Sequence, residues 1–248
     1  MMRRILITIE YDGGPFHGWQ RQLNGLTVQQ VLEEAAHRLT GQDTLVQAAG
    51  RTDAGVHASG QVAHLDVPEK FDAERVMTAL NALVGQQPVS VIAAREVPAD
   101  FHARFSATGR RYLYRILPRR QPPALDVGRV WHHKTALDTD AMQRAADMLI
   151  GRHDYTSFRA TYCQADSPVR TLATLDVASA GAEIHIHAAA RSFLHHQVRN
   201  MVGTLALVGA GKWQPERVAE ALAACDRSAA GPTAPPEGLY LTEVSYPI

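Results

Sequence analysis

Apolar residues recur at two periods along this 248-residue chain, and the switches between them predict its elements. Residues 3 to 11 alternate Ile5, Ile7 and Ile9 with Leu6, Thr8 and Glu10, the period of a strand with one face more buried than the other. After the turn-rich Asp12-Gly13-Gly14-Pro15 the period lengthens. Val28, Val31, Leu32, Ala35, Ala36 and Leu39 recur at helical spacing up to Gly41, and Thr27 followed by Gln30 reads as a capping box. Strand-like runs at 44–49 and 59–67, a helix at 72–83 and a strand at 89–97 complete the first hundred residues.

The remainder repeats the theme. Ser106 to Leu117 is strand-like, 138–150 is helical with Asp138 as its cap, and 169–178 with 182–191 predicts a hairpin around Ala180-Gly181. A helix at about 195–209 carries the stripe Val198, Met201, Val202, Leu205 and Val208, Pro215 suits the first turn of a short helix, and Leu239 to Tyr246 closes as a strand. The segments 118–128 and 226–238, rich in Pro, Gly or Ala, read as unstructured. The pattern predicts an α+β fold of two pseudo-equivalent halves, 1–103 and 104–248, each a mostly antiparallel sheet with helices, joined around a central cleft.

Composition narrows the class. No stretch approaches the roughly 18 apolar residues of a membrane span, and the N-terminal segment continues as a polar-alternating strand where a signal peptide would become an apolar block. A cytoplasmic protein with no membrane partner is the expectation. Cys163 and Cys225 form neither a Cys-x-x-Cys pair nor a disulfide framework and are expected to be buried thiols.

Twenty-five basic and twenty-five acidic residues cancel, yet they are unevenly placed. Residues 1–100 carry 8 Lys/Arg against 12 Asp/Glu, and 101–248 carry 17 against 13. Phe101 to Leu125 holds Arg104, Arg110, Arg111, Arg115, Arg119 and Arg120 with no acid, and Ile184 to Pro215 again holds none. Such stripes can follow a phosphate backbone despite overall neutrality, or can be solvated arginines on exposed strand faces.

The segment with most chemistry is Gly50-Arg51-Thr52-Asp53-Ala54-Gly55-Val56-His57, a polar loop bracketed by glycines between two predicted strands. Glycines permit close backbone approach, so a carboxylate between them can be presented at a cleft floor. Taken alone, an Asp in such a loop more often bonds its own backbone as a turn residue. What changes the balance is that this loop resembles the signature loop of the tRNA pseudouridine synthase A family. Matching blocks stand in the family's order at Glu10-Tyr11-Asp12-Gly13, at His17 to Gln22, at Asp100-Phe101-His102-Ala103-Arg104-Phe105-Ser106-Ala107, at Phe193 to Gly203, and at Glu237-Gly238-Leu239-Tyr240-Leu241.

Residue by residue, the resemblance implies catalysis by Asp53, with Arg199 as the charge partner of its carboxylate. It implies binding or flipping of the substrate by Arg51, base stacking by Tyr112, and an apolar wall of the uracil pocket at Leu239. It further implies isomerisation of uridine to pseudouridine at positions 38, 39 and 40 of the tRNA anticodon arm, and a homodimer; the sequence stops almost at once after Leu239 to Tyr246, so any longer tail found in relatives is expected to be absent here. Arg104, Arg110 and Arg111 are the expected contacts to the RNA backbone.

The chemistry asks for no cofactor, because the isomerisation gains no atoms and transfers no electrons. An ionised, positioned Asp suffices, whether it attacks C1′ or takes the proton from C2′. Burial would push its pKa upward, and a guanidinium in contact would keep it charged, so a paired acid is expected. Tyr112 and Tyr114 share a strand face, and at least one can turn its ring to an unstacked base rather than to the core. Phe16 and Trp19 are expected to pack. His185, His187, His195 and His196 are close in sequence, but neither a cysteine pair nor a His-Glu-x-x-His accompanies them, so no metal site is expected. The rival readings are an RNA-binding module without catalysis and a nucleoside or glycoside hydrolase, which would need two carboxylates.

Overall fold

The structure is a computed structural model and describes residues 1–247. It is an α+β fold whose contacts divide the chain into two compact units: Met1–Thr108 with Tyr240–Ile248, and Gly109–Leu239. The division falls a few residues after the 103/104 boundary read from the sequence. It also groups the last strand with the first unit, because that strand lies parallel to β3 (His57–Pro68), with Tyr240 opposite His57 and Leu241 opposite Ala58.

In the first unit, β1 (Met2–Tyr11) runs antiparallel between β3 and β4 (Val89–Val97). The short β2 (Gln47–Ala48) pairs with β3, reducing the expected 44–49 run to two residues. Ile5, Ile7 and Ile9 are fully buried, as the alternation predicts, and Leu6 is buried as well. Helix α1 (Val28–Thr40) starts where Thr27 accepts from the Gln30 N–H at 3.3 Å. Only half of the capping box forms, since the Gln30 side chain donates to Glu34 one turn on. Helix α2 (Ala73–Leu83) is capped by Asp72 and packs on α1 and β4.

The second unit is built on β5 (Gly109–Pro118), β8 (Val169–Ala180) and β9 (Glu183–Ala190), the last two forming the expected hairpin. The sequence pattern carries no sign of β6 (Trp131–His133), parallel to β5, or β7 (Gly151–Asp154), antiparallel to β8. Helix α3 (Thr139–Asp147), capped by Asp138, packs on β8 and on α4 (Gln197–Gly209). Every residue of α4 is buried except Arg199 and Leu207, so its surroundings are protein on nearly all sides rather than along one stripe. Helix α5 (Glu216–Ala223) follows Pro215 as expected.

Segment 226–238 corrects the sequence reading. It holds two 3-10 turns, Arg227–Ala229 and Pro236–Gly238, and is bonded throughout. Asn200, fully buried on α4, accepts from Arg227 and Thr233, while Thr204 accepts from the Gly231 N–H at 2.9 Å. Polar side chains of a buried helix need partners, and this segment supplies them. The thiols are also corrected. Cys163 is half-buried and Cys225 is exposed, the latter just past the end of α5 at φ 48. Among the described residues no helix is long and apolar enough to cross a membrane.

Candidate active site

Asp53 sits in the loop joining β2 to β3 and is half-buried, with Arg51 exposed and Thr52 buried beside it. The loop is not a self-contained turn. The Trp19 N–H donates to the Thr52 carbonyl at 3.0 Å, the Val56 N–H to the Asp53 carbonyl at 3.1 Å, and the Gly55 N–H to the Phe16 carbonyl at 3.4 Å. Below it, the Tyr11 hydroxyl meets the Thr52 hydroxyl at 2.8 Å, and Gln61, fully buried on β3, donates to the Gly50 carbonyl at 2.9 Å. Burial pushes the Tyr11 phenol up to about 12, so it stays neutral.

Two glycines make this contact possible. Gly18 adopts φ +83, and a Cβ there would lie 2.7 Å from the Thr52 carbonyl oxygen; at Gly13 a Cβ would run into the Val56 carbonyl. The backbone of 13–19 therefore lies flat against the loop carrying Asp53. His57 closes the arrangement, accepting from the Gly13 N–H at 3.0 Å and stacking on Tyr240 at 4.7 Å. Phe16 and Trp19, at 2% exposure, pack as expected.

The second unit holds Tyr112, Arg199 and Leu239. On β5 the two tyrosines of one face part company. Tyr114 is fully buried, donates to the Pro235 carbonyl at 2.7 Å, and is pushed well above the usual phenol range by burial, then by Glu237, with Arg199 opposing. Tyr112 is only half-buried and meets Phe193 edge-on at 5.2 Å. Arg199 projects from α4 with its Nε donating to the Ala234 carbonyl at 2.8 Å, while its own carbonyl accepts from the Ala234 N–H at 3.0 Å. The first bond orients the guanidinium, and the second ties the backbone of α4 to that of the 226–238 segment. The segment then runs through Pro235, the acceptor of Tyr114, to the buried Leu239, so Arg199, Tyr114 and Leu239 are tied to one short stretch of chain. At the start of α4, His196 adopts φ 63, a left-handed conformation uncommon outside glycine and concentrated at working sites.

The arginine stripe divides. Arg110 donates to the Arg191 carbonyl at 2.6 Å, Arg111 is exposed, and Arg104, in the first unit, lies over the Phe105 ring. Arg115 leaves the expected stripe, because Glu183 takes it at 2.6 and 2.9 Å and Asp126 at 3.3 Å. Both acids stand just outside the acid-free windows of the sequence.

The family model for tRNA pseudouridine synthase matches residues 7–106 and 145–247, the greater part of the chain. The chain belongs to the tRNA pseudouridine synthase family. A tRNA pseudouridine synthase A of Rhodospirillum rubrum is 61% identical over 246 residues, covering 99% of this chain and 88% of its own. That of Rhodospirillum centenum is 58% identical and covers 99% of this chain and 100% of its own, and that of Acidiphilium cryptum is 60% identical over 100% and 98%. The matched stretches take in Arg51, Asp53 and Arg104 on one side and Arg199 and Leu239 on the other, whereas Arg110, Arg111 and Tyr112 fall between them. Residues not singled out from the sequence, Tyr11, Thr52 and Gly18, lie inside the first stretch; their only signal was membership of the quoted blocks.

Proposed function

We propose that this member of the tRNA pseudouridine synthase family isomerises uridine to pseudouridine in the tRNA anticodon arm, at positions 38 to 40, with Asp53 as the catalytic residue. The observation that carries the reading is the loop itself. Asp53 is half-buried, and the residue before it, Thr52, is held from two sides by Trp19 and Tyr11, a rigidity that a surface turn does not need.

The reaction breaks the bond from uracil N1 to ribose C1′, turns the base, and joins C5 to C1′. The proton on C5 is lost and N1 gains one, so atoms and electrons balance without a co-reactant. Asp53 either attacks C1′ or removes the C2′ proton, and each route needs the ionised carboxylate. Arg199 is the counter-charge in this reading, its guanidinium oriented by the bond to the Ala234 carbonyl. Tyr112 offers its ring to the flipped uracil, Leu239 walls the base, and Arg51 assists flipping. Tyr114, buried and bonded, leaves Tyr112 as the tyrosine of that face able to stack. Arg104, Arg110 and Arg111 contact the RNA backbone, the protein works as a homodimer in the cytoplasm, and no cofactor takes part.

The test is incubation of the purified protein with unmodified tRNA, followed by mapping of pseudouridine. New pseudouridine supports the reading, unchanged RNA supports a binding module, and released uracil supports a hydrolase. Asp53→Asn should abolish product while leaving tRNA affinity nearly intact; retained modification would overturn the assignment.

A further inference from the structure

In the block Asp100 to Ala107 only Arg104 has been given a role, that of a contact to the RNA backbone. Its loop carries a large exposed aromatic, Phe105, at 73% exposure. An exposed phenylalanine on a loose loop would mean little. This loop is fastened along its length.

His102 and Ser106 bond each other twice, through Ser106 N–H to the His102 carbonyl at 2.9 Å and His102 N–H to the Ser106 hydroxyl at 3.1 Å. The Ala103 N–H donates to His64 Nδ1 at 3.2 Å, and the Ala103 carbonyl accepts from the Tyr246 hydroxyl at 2.8 Å. Arg4 donates to the Phe101 carbonyl at 2.8 Å. The His102 ring is fixed at both nitrogens, with Nδ1 accepting from the Arg104 N–H at 3.1 Å and Nε2 bonded to Gln47 at 3.0 Å. That ring then lies 4.4 Å from the ring of Phe105, and the Arg104 guanidinium stands 5.5 Å from its centroid.

We infer that Phe105 is a stacking platform for an unpaired base of the RNA substrate, at a position other than the uridine that reacts. A base has a π-face that every aromatic can cover, and an aromatic edged by a cation and held still loses little entropy on stacking. From Phe101 to Leu125 the sequence holds no acid, which leaves Asp100 as the one carboxylate of this block to repel phosphate. The alternative occupant, a second copy of this chain, would want an apolar patch, whereas Phe105 has Arg104 and His102 as its neighbours.

The inference rests on the RNA substrate proposed above, and the experiment separates the two. Unmodified tRNA is titrated by fluorescence anisotropy against wild type, Phe105→Ala, Phe105→Leu and Phe105→Trp, with sedimentation and thermal melting of each. Phe105→Ala and Phe105→Leu should weaken binding about tenfold and raise KM in proportion at unchanged kcat, while Phe105→Trp restores affinity. Leu is included because it keeps the apolar bulk and removes only the π-face. Wild-type affinity in Phe105→Leu, alongside a wild type that modifies tRNA, overturns the platform alone. A change of oligomeric state in Phe105→Ala overturns it in favour of a protein contact. A wild type that binds no tRNA overturns both proposals.

Discussion

The hydroxyl of Tyr11, at the end of β1, and that of Thr52, one residue before Asp53, form a buried pair 2.8 Å apart. The bond ties the candidate catalytic loop to the central strand of the first unit, where nothing can shift without disturbing the core. Tyr11→Phe keeps the ring and leaves the Thr52 hydroxyl without this partner. A buried hydroxyl so stranded costs about 1–3 kcal/mol. The expected outcome is a lower melting temperature and a fall in kcat that exceeds any rise in KM, because the substrate is not touched. Steady-state kinetics on unmodified tRNA check it, and an unchanged kcat would show the loop to be held well enough without Tyr11.

Gly18 and Gly41 make a controlled pair. Both have positive φ, but a Cβ at Gly41 meets nothing within 4 Å, whereas at Gly18 it lies 2.7 Å from the Thr52 carbonyl. Gly41→Ala should cost about 1 kcal/mol in stability, from backbone preference alone, and leave kcat unchanged. Gly18→Ala should cost more and depress kcat, since relief of the clash moves the loop of Asp53. Denaturant melts paired with kinetics distinguish the two.

His64 gives the first unit an acid-sensitive element. Burial, aided by Arg4 and His102, holds its pKa at about 4 against a usual 6.5, and its Nδ1 accepts from Ala103. Its folded pKa is the lower one, so the unfolded chain binds the proton first. Stability is complete above about 6.5 and falls as pH drops toward about 4. The full span corresponds to roughly 3 kcal/mol. His102 is lowered as well, chiefly by burial, and acts in the same direction. Chemical denaturation between pH 7 and 4.5 should show this slope in the wild type and a shallower one in His64→Gln. That range lies above the lowered carboxyls of Asp66 and Glu183.

Arg115 and Arg111 stand on the same strand, β5, with opposite expectations. Arg115→Ala should destabilise the fold by about 2 kcal/mol or more, because half-buried Glu183 loses two charge-assisted bonds, and should leave the salt dependence of tRNA binding as it was. Arg110→Ala with Arg111→Ala should flatten that dependence by about one unit for each phosphate no longer neutralised. Binding measured across salt concentrations separates the structural arginine from the RNA track.

Local signals carried most of the elements. Caps at Thr27, Asp72 and Asp138, the Ala180-Gly181 turn and Pro215 all mark real boundaries, because each acts within a few residues. Illegible were features set by distant chain. Strands β6 and β7 are too short to carry a period, segment 226–238 is ordered by side chains of α4, and Arg115 finds its acids across a turn and a neighbouring strand. Tyr112 and Tyr114 share one periodicity, and only packing separates the ring that is buried from the ring that is left half-exposed. At the site, Asp53 and Arg199 were named through resemblance, whereas the Tyr11–Thr52 bond and the close approach of Gly18 emerge only from the folded chain, since they join residues far apart in sequence.

The return of Tyr240–Ile248 to the first unit has a consequence for biosynthesis. During translation, residues 1–108 are complete long before the strand that pairs with His57 and Ala58 is made, and the whole second unit emerges in between. Until then the strand leading out of the Asp53 loop has a bare margin at that point, open to mispairing with other nascent chains. A ribosome stalled after residue 239 would therefore carry the loop of Asp53 without its finishing strand, so that loop matures only once Tyr240 and Leu241 have been made.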